Sequence, residues 1–187
     1  YGIDDIWISV RYLGEQLVDY FKDGSEKALR INYVWEDNAL GTAGALALVN
    51  GFIHEHVLMM NSDLLTNIDY EDLYLFFEEQ QADFAVACIP YQVNVPYAVM
   101  ETQNNIVSGF KEKPTYTHYC NAGIYLMKKE VIDCIPKNQP FNATDLMDLL
   151  ILNEKRVVAY PLVRYWLDIG KHEDFQKAQV DIKQIKF

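Results

Sequence analysis

The segment His56-Val57-Leu58-Met59-Met60-Asn61-Ser62-Asp63 carries the clearest information on the fold. It opens with a short apolar run of the kind found in strands that are covered on both faces of a parallel sheet. Small polar residues end the run. Residues at the carboxyl end of a parallel strand stand where ligands bind in open α/β sheets. The segment therefore predicts a mostly parallel sheet with a ligand site at one edge.

Strand and helix patterns alternate on both sides of this segment. Upstream, apolar periodicity predicts strands over 2–10 and 29–35, and small residues predict a short helix over 42–49. Downstream, Asp69 is the expected N-cap of the next helix. This alternation is typical of βαβ units, and hence of a three-layer, Rossmann-like α/β domain.

The pattern changes after Pro90. Segments 97–100 and 106–111 are predicted to form hairpin strands, which implies a small antiparallel insertion in an otherwise mostly parallel, mixed sheet. Near the C-terminus, four apolar residues at helical spacing predict a helix with one core-facing stripe. These four residues are Phe175, Ala178, Ile182 and Ile185.

Composition limits the function. The 187 residues are 50% apolar, which excludes disorder, and they contain no apolar run long enough to span a membrane. A net charge of −11 argues against nucleic acid and anionic lipid as partners.

The length predicts one domain over residues 1–187. Three cysteines without metal-type spacing indicate a reduced, cytoplasmic protein, and Cys88 and Cys134 are expected to be inert core thiols.

The loop Leu40-Gly41-Thr42-Ala43-Gly44-Ala45-Leu46 is the strongest local motif. Small residues between a strand and a helix let a ligand approach the backbone and the helix N-terminus closely. A tightly packed strand-to-helix turn explains the same residues equally well. No G-x-G sequence occurs anywhere, so the loop is not a dinucleotide-binding fingerprint.

Two aspartates are placed at predicted strand ends. Asp63 ends the segment quoted first, and Asp168 ends the apolar part of Tyr165–Gly170. Carboxylates at such positions can hold Mg²⁺ against substrate phosphates, because this ion binds one or two protein carboxylates and completes its shell with water and phosphate oxygens. The alternative for Asp63 is a helix cap or an Asx-turn, although Asp69 is the better cap for the helix that follows. The alternative for Asp168 is capping of the helix that begins near His172.

The segment Phe110-Lys111-Glu112-Lys113-Pro114 places two cations around a carboxylate. A lysine suits a phosphate as a point charge, and a carboxylate accepts hydrogen bonds from sugar hydroxyls. A solvated, charged turn at the end of a hairpin is the alternative explanation.

Five motifs in this order resemble the sugar-1-phosphate nucleotidyltransferases, which include glucose-1-phosphate thymidylyltransferases and mannose-1-phosphate guanylyltransferases. The resemblance spans residues 1–178. The motifs are Glu36 with Leu40–Gly44, Asn61–Asp63, Glu112–Pro114, Asn121–Tyr125 and Trp166–Gly170.

The resemblance implies a role for each matching residue. Glu36 and Gly41 are expected to face the nucleotide base, with Thr42 beside them as a substrate-binding residue. Asp63 and Asp168 match the metal carboxylates. Lys113 is expected on the sugar phosphate, Glu112 on the sugar hydroxyls, and Asn121 and Gly123 in a segment that contacts the sugar.

The implied reaction is an in-line attack of a sugar-1-phosphate oxygen on the α-phosphorus of a nucleoside triphosphate, with pyrophosphate as the leaving group and Mg²⁺ as the cofactor. Asp63, Lys113 and Asp168 are the expected catalytic residues. The expected partners are the two substrates, and a homo-oligomer is compatible with the resemblance.

The family opens with a strand and a loop of the type G-G-x-G-x-R-L-x-P-L-T, which this sequence lacks. The chain, which begins at Tyr1, is expected to be incomplete at its N-terminus and inactive on its own. Two other functions stay open at this point. One is a non-catalytic regulatory module that binds a nucleotide sugar, and the other is a glycosyltransferase of related fold.

Overall fold

The computed structural model describes residues 1–186, which form a mixed α/β fold with an open, mostly parallel sheet, as the sequence predicts. The chain divides into two compact units. Unit 1 comprises residues 1–61, 69–85 and 125–158. Unit 2 comprises residues 62–68, 86–124 and the described chain from residue 159 onward. A single domain over 1–187 stays a prediction.

The secondary structure contains strands, α-helices and short 3₁₀ helices. The strands are β1 Asp5–Val10, β2 Arg30–Trp35, β3 His56–Met60, β4 Leu64–Thr66, β5 Phe84–Asn94, β6 Val99–Gln103, β7 Ile106–Lys111, β8 Thr115–Lys128, β9 Val157–Pro161 and β10 Trp166–Asp168. The α-helices are α1 Gly14–Phe21, α2 Tyr70–Glu79, α3 Ala143–Leu152 and α4 His172–Asp181. The 3₁₀ helices are Ser25–Lys27, Gly44–Leu48 and Lys129–Cys134.

The strands pair in four groups. Strands β1 and β2 pair in parallel, with Asp5 opposite Arg30. Strands β4 and β10 form an antiparallel pair, and a larger sheet has the order β3-β8-β5-β9. Strands β6 and β7 form the predicted antiparallel hairpin. Its turn residues Asn104 and Asn105 both have positive φ, at 48° and 65°, as a type I′ turn requires.

Each unit has buried apolar side chains. In unit 1, Leu73 and Phe77 of α2 and Leu146 and Leu150 of α3 are at most 1% exposed. Helix α2 begins where predicted, because the Asp69 carboxylate accepts a hydrogen bond from the Asp72 N–H at 3.2 Å. In unit 2, the buried side chains include Ile68, Ala87, Ala122, Ile124 and Leu162.

The helix predicted over 42–49 is wrong in type and start. The chain turns at 41–43 and then forms the 3₁₀ helix Gly44–Leu48. The N–H groups of Ala43 and Gly44 both donate to the Phe141 carbonyl oxygen, at 3.0 and 2.9 Å. Phe141, a residue far along the chain, therefore binds the two backbone N–H groups that were expected to lie free at the start of the helix.

Two predictions of burial are also wrong. Only Ala178 of the predicted stripe is buried, whereas Phe175 and Ile182 remain 46% and 50% exposed. The Cys134 side chain is exposed, while Cys88 is buried as expected. Apolar spacing shows which face of a helix could be covered, but burial also needs a neighbouring element to pack against that face.

No helix within residues 1–186 combines the length and the apolar character that crossing a membrane requires.

Candidate functional site

Unit 2 brings Asp63 and Asp168 together, although they lie far apart in the sequence. Asp63 immediately precedes β4, and Asp168 is the last residue of β10. The antiparallel register places Asp168 opposite Leu64. The pairing of two short strands therefore makes the two aspartates neighbours.

The side chains of this pair point toward one region of space. An ideal Cβ built on Gly170 would lie 3.1 Å from Asp168 Oδ1 and 3.4 Å from Asp63 Oδ2. The distance between Asp168 Oδ1 and Asp63 Oδ2 therefore cannot exceed the sum of these two distances. That separation is within the span of about 8 Å that one divalent ion and a bridging water can cover with ligand distances of about 2.1 Å.

Two hydrogen bonds donated by backbone N–H groups hold the turn after β10. The Gly170 N–H donates to Asp168 Oδ1 at 2.8 Å, and the Ile169 N–H donates to the Asp63 carbonyl oxygen at 2.8 Å. Lys171, not Asp168, occupies the N-cap position of α4. The helix-capping explanation of Asp168 is therefore excluded.

The donor set fits a hard divalent cation. Both aspartates are exposed, so their oxygens are accessible to a ligand. Residues 1–186 contain no group of three or more His, Cys, Asp or Glu side chains that could enclose a metal. Mg²⁺ does not need such a group, because water and substrate phosphates supply most of its oxygen ligands.

The Asn121–Gly123 segment is tied to the strand that carries Asp168. The Trp166 indole N–H donates to the Ala122 carbonyl oxygen at 2.8 Å. The Asn121 side chain accepts from the Gly123 N–H at 2.9 Å, and Gly123 has a φ of 72°. Unit 2 thus connects a predicted sugar-contacting segment to the carboxylate pair through Trp166, whose contact with Ala122 is not predicted from the sequence.

Glu112 and Lys113 lie in a bend between β7 and β8, with both side chains exposed. Lys113 has a positive φ of 45°. Within the described chain neither side chain has a hydrogen-bond or ion-pair partner, and none joins them to Asp63 or Asp168. Both charges are therefore available to a ligand, but the structure does not place them in contact with the carboxylate pair.

In unit 1, the loop around Gly41 is fastened to the segment before α3. The Thr42 N–H donates to Asn142 Oδ1 at 3.3 Å, and the next two N–H groups donate to the Phe141 carbonyl oxygen. The Thr42 hydroxyl accepts from the Ala143 N–H at 2.8 Å. These N–H groups are used inside the protein, so they do not form a free cradle for phosphates.

The close contact between this loop and the segment before α3 requires a glycine at position 41. Its φ is 74°, and a Cβ at this position would lie 2.6 Å from Asn142 Oδ1 and 2.9 Å from the Phe141 carbonyl oxygen. Neither Phe141 nor Asn142 is among the residues predicted from the sequence. Asn142 had a detectable signal, because Asp145 follows it at the spacing of a capping box and accepts from its N–H at 2.7 Å.

Glu36 supports the other end of the same loop. Its N–H donates to the Val10 carbonyl oxygen at 3.0 Å, and its Oε2 accepts from the Leu40 N–H at 2.9 Å. Its Oε1 accepts from the Ser9 hydroxyl, a contact that no sequence signal indicated. Unit 1 therefore brings Glu36, Gly41 and Thr42 together around one loop.

Burial makes Cys88 a poor nucleophile. Burial, followed by the nearby Cys120, raises the pKa of the Cys88 thiol, which disfavours the reactive thiolate. All three cysteines are free thiols.

Comparisons with known proteins agree on one family. The sequence profile described as "Nucleotidyl transferase" matches residues 1–185. The chain is 30% identical to a mannose-1-phosphate guanylyltransferase of Mycobacterium tuberculosis, covering 97% of this chain and 52% of that protein. It is 28% identical to the D-glycero-alpha-D-manno-heptose 1-phosphate guanylyltransferase of Aneurinibacillus thermoaerophilus, covering 97% and 80%.

A solved structure supports the same conclusion. The fold is similar to that of a putative glucose-1-phosphate thymidylyltransferase from Bacillus anthracis, with a TM-score of 0.73 and 25% identity over 99% of this chain and 78% of the other. The chain spans about half the length of several curated relatives that it matches.

Proposed function

Since the chain belongs to the nucleotidyl transferase family, we propose that the protein carrying it transfers a nucleotidyl group from a nucleoside triphosphate to a sugar-1-phosphate. The relatives described above are named for this type of reaction. The structural observation that supports the proposal most directly is the Asp63–Asp168 pair, whose oxygens converge beside Gly170.

In this proposal Asp63 and Asp168 hold Mg²⁺. When bound, the ion neutralises charge that develops on the phosphates during transfer. Both carboxylates are exposed, and the turn after β10 is tied to each residue, because the Gly170 N–H donates to Asp168 Oδ1 and the Ile169 N–H donates to the Asp63 carbonyl oxygen.

Unit 2 also carries the residues proposed for the sugar phosphate. Lys113 binds its phosphate as a point charge, and Glu112 accepts hydrogen bonds from sugar hydroxyls. The exposed, unpaired state of both side chains supports this assignment. Asn121 and Gly123 complete the proposed sugar-contacting set.

Unit 1 carries the proposed nucleotide-binding residues Glu36, Gly41 and Thr42. The Glu36 carboxylate accepts two hydrogen bonds within the protein, which leaves acceptor capacity for an N–H of a base. Gly41 shapes this loop, because only a residue without a side chain fits against Asn142 and the Phe141 carbonyl oxygen.

The proposed step forms one bond and breaks one. An oxygen of the sugar phosphate attacks the α-phosphorus, and the bond from that phosphorus to the oxygen bridging to the β-phosphate breaks. Pyrophosphate leaves with that electron pair, and the products are an NDP-sugar and pyrophosphate.

We further place the protein in the cytoplasm, which its free thiols support.

A pyrophosphate-release assay tests the proposal on the protein expressed from its natural gene. It combines sugar-1-phosphates with each common nucleoside triphosphate and Mg²⁺. We expect turnover with one preferred pair of substrates, and a loss of about 100-fold or more for Asp63→Asn and Asp168→Asn.

The exposed Asp133 provides a matched control, since Asp133→Asn removes the same charge from a residue that has no role in the proposal, and it should leave turnover unchanged. Absence of turnover with every substrate pair would contradict the transferase function. Unchanged turnover in both site variants would contradict the proposed role of the aspartates.

A further inference from the structure

The turn that follows β10 has a glycine at the point where a side chain would meet both carboxylates. We propose that Gly170 is a positioning residue for the divalent cation, because its lack of a side chain keeps open the space beside Asp63 and Asp168. The inference rests on the proposed function and assigns a residue that supports the same site.

The distances show that a side chain at this position would touch both carboxylates. A Cβ on Gly170 would lie 3.1 Å from Asp168 Oδ1 and 3.4 Å from Asp63 Oδ2. A methyl group there would contact both oxygens at once. A cation held by these two carboxylates would, with its bound water, need space beside the same two residues. A methyl group and a hydrated ion therefore compete for this region.

The backbone conformation does not explain the glycine. The φ of Gly170 lies outside the left-handed region, in contrast to Gly41 and Gly123. An alanine could therefore adopt this backbone conformation without left-handed strain. The reason for a glycine at this position is the space that its missing Cβ leaves between the carboxylates.

The main chain of Gly170 contributes a second effect. Its N–H donates to Asp168 Oδ1 at 2.8 Å, which fixes the orientation of that carboxylate and leaves lone pairs for a cation. Alanine keeps this N–H. The substitution Gly170→Ala therefore tests the steric effect separately from the hydrogen bond.

The test measures Mn²⁺ binding by electron paramagnetic resonance titration of the purified protein, without substrates. We expect Gly170→Ala to weaken Mn²⁺ affinity by about 10- to 100-fold, the range found when residues that support metal ligands are changed. The thermal unfolding midpoint without metal should remain close to that of the wild type.

Gly109 offers a matched control in the same unit. A Cβ on Gly109 would lie 3.2 Å from Glu101 Oε2, so Gly109→Ala also places a methyl group beside a carboxylate oxygen, but in the β6–β7 hairpin. This variant should bind Mn²⁺ as the wild type does. A second variant, Gly170→Ser, makes the same steric demand and adds a hydroxyl that can donate to a carboxylate, so it should also bind Mn²⁺ weakly.

Each outcome decides the proposal. Wild-type Mn²⁺ affinity in Gly170→Ala or Gly170→Ser would overturn the role of Gly170 and leave the carboxylate pair intact. A wild-type protein that binds no more Mn²⁺ than an Asp63→Asn, Asp168→Asn double variant would overturn the metal site of the proposed function, and this inference with it. Equal weakening in Gly109→Ala would show that the effect is not specific to Gly170.

Discussion

At the scale of single residues, Gly41 shows how one backbone position can hold two distant segments together. The residue combines a positive φ of 74° with close approach to Asn142 and the Phe141 carbonyl oxygen. Any side chain would force the loop away from the start of α3. The loop that carries the proposed base-binding residues depends on this glycine.

We expect Gly41→Ala to lower the free energy of unfolding by about 2–4 kcal/mol, because left-handed strain of about 1–2 kcal/mol adds to the cost of displacing the Phe141 backbone. Urea unfolding would measure the change. Gly2 is a suitable control, since its φ is also positive, at 70°, but a Cβ there would meet nothing within 4 Å. An equal loss in Gly2→Ala would contradict the steric explanation.

Lys113 is the residue with the most specific proposed effect on catalysis. If its ammonium binds the sugar phosphate, Lys113→Ala should raise KM for the sugar phosphate by roughly 10- to 100-fold, since a hydrogen bond to a charged group contributes about 1.5–3 kcal/mol. Nucleotide affinity, measured by calorimetry, should not change. The exposed Lys137 serves as the control, and unchanged kinetics in Lys113→Ala would indicate a solvated turn residue.

Asp83 connects three segments of unit 1. Its carboxylate accepts from Lys128 Nζ at 2.8 Å and from the Arg156 N–H at 2.9 Å. Burial acts to raise the pKa of this carboxyl group, but the hydrogen bonds from Lys128 and the Arg156 N–H, together with the charges of Lys128 and Lys155, outweigh it, and the net pKa is lowered.

Because its pKa is lowered in the folded state, Asp83 stabilises the fold at pH values above the pKa of an unfolded Asp, which is about 3.9. This contribution is lost as pH falls through the pKa of the folded state. We expect Asp83→Asn to cost about 1–3 kcal/mol at pH 7 and much less in strongly acidic solution. Urea unfolding across this pH range is the measurement. A cost that stays constant with pH would show that the charge of Asp83 is not responsible.

At the scale of elements, the β4–β10 pair organises much of the proposed site in unit 2. It makes Asp63 and Asp168 neighbours, and Trp166 joins it to the Asn121–Gly123 segment. The residues next to this strand pair are joined as well, because the Asn67 side chain, directly after β4, accepts from the N–H of Tyr165, directly before β10, at 3.0 Å.

We expect Trp166→Phe to raise KM for the sugar phosphate severalfold and to cost about 1 kcal/mol of stability, because the Ala122 carbonyl oxygen loses its indole donor. Steady-state kinetics and urea unfolding measure the two effects. Trp35→Phe removes an indole N–H that has no hydrogen bond within the described chain, and it should not affect KM. An unchanged KM in Trp166→Phe would separate Trp166 from sugar binding.

At the scale of the whole molecule, the excess of negative charge is the dominant property. The net charge of −11 makes the folded state repel itself, and added salt screens this repulsion. We expect the thermal midpoint to rise between ionic strengths of about 0.01 and 0.15 M, over which the Debye length shortens from about 30 to about 8 Å.

Differential scanning calorimetry in sodium chloride would measure the midpoint, and the same series in sucrose at matched osmolality controls for effects unrelated to charge. A falling midpoint with salt would show that local ion pairs, such as Lys128 with Asp83, outweigh the general repulsion.

The sequence by itself determined the α/β class, the β6–β7 hairpin, the N-cap of α2 and the family of the protein. These features depend on local chemistry: apolar periodicity, turn residues with positive φ, and a carboxylate one turn before a backbone N–H. Strand ends also identified Asp63 and Asp168 as candidates before any distance was known.

The tertiary structure alone decided which candidates lie together. The β4–β10 register brings Asp63 and Asp168 close enough to share one ion, and Gly170 becomes important only because both carboxylates lie beside it. Phe141 pairs with the backbone of the Gly41 loop across about a hundred residues of sequence. Contacts between residues so far apart depend on how elements pack, and no local pattern in the sequence encodes that packing.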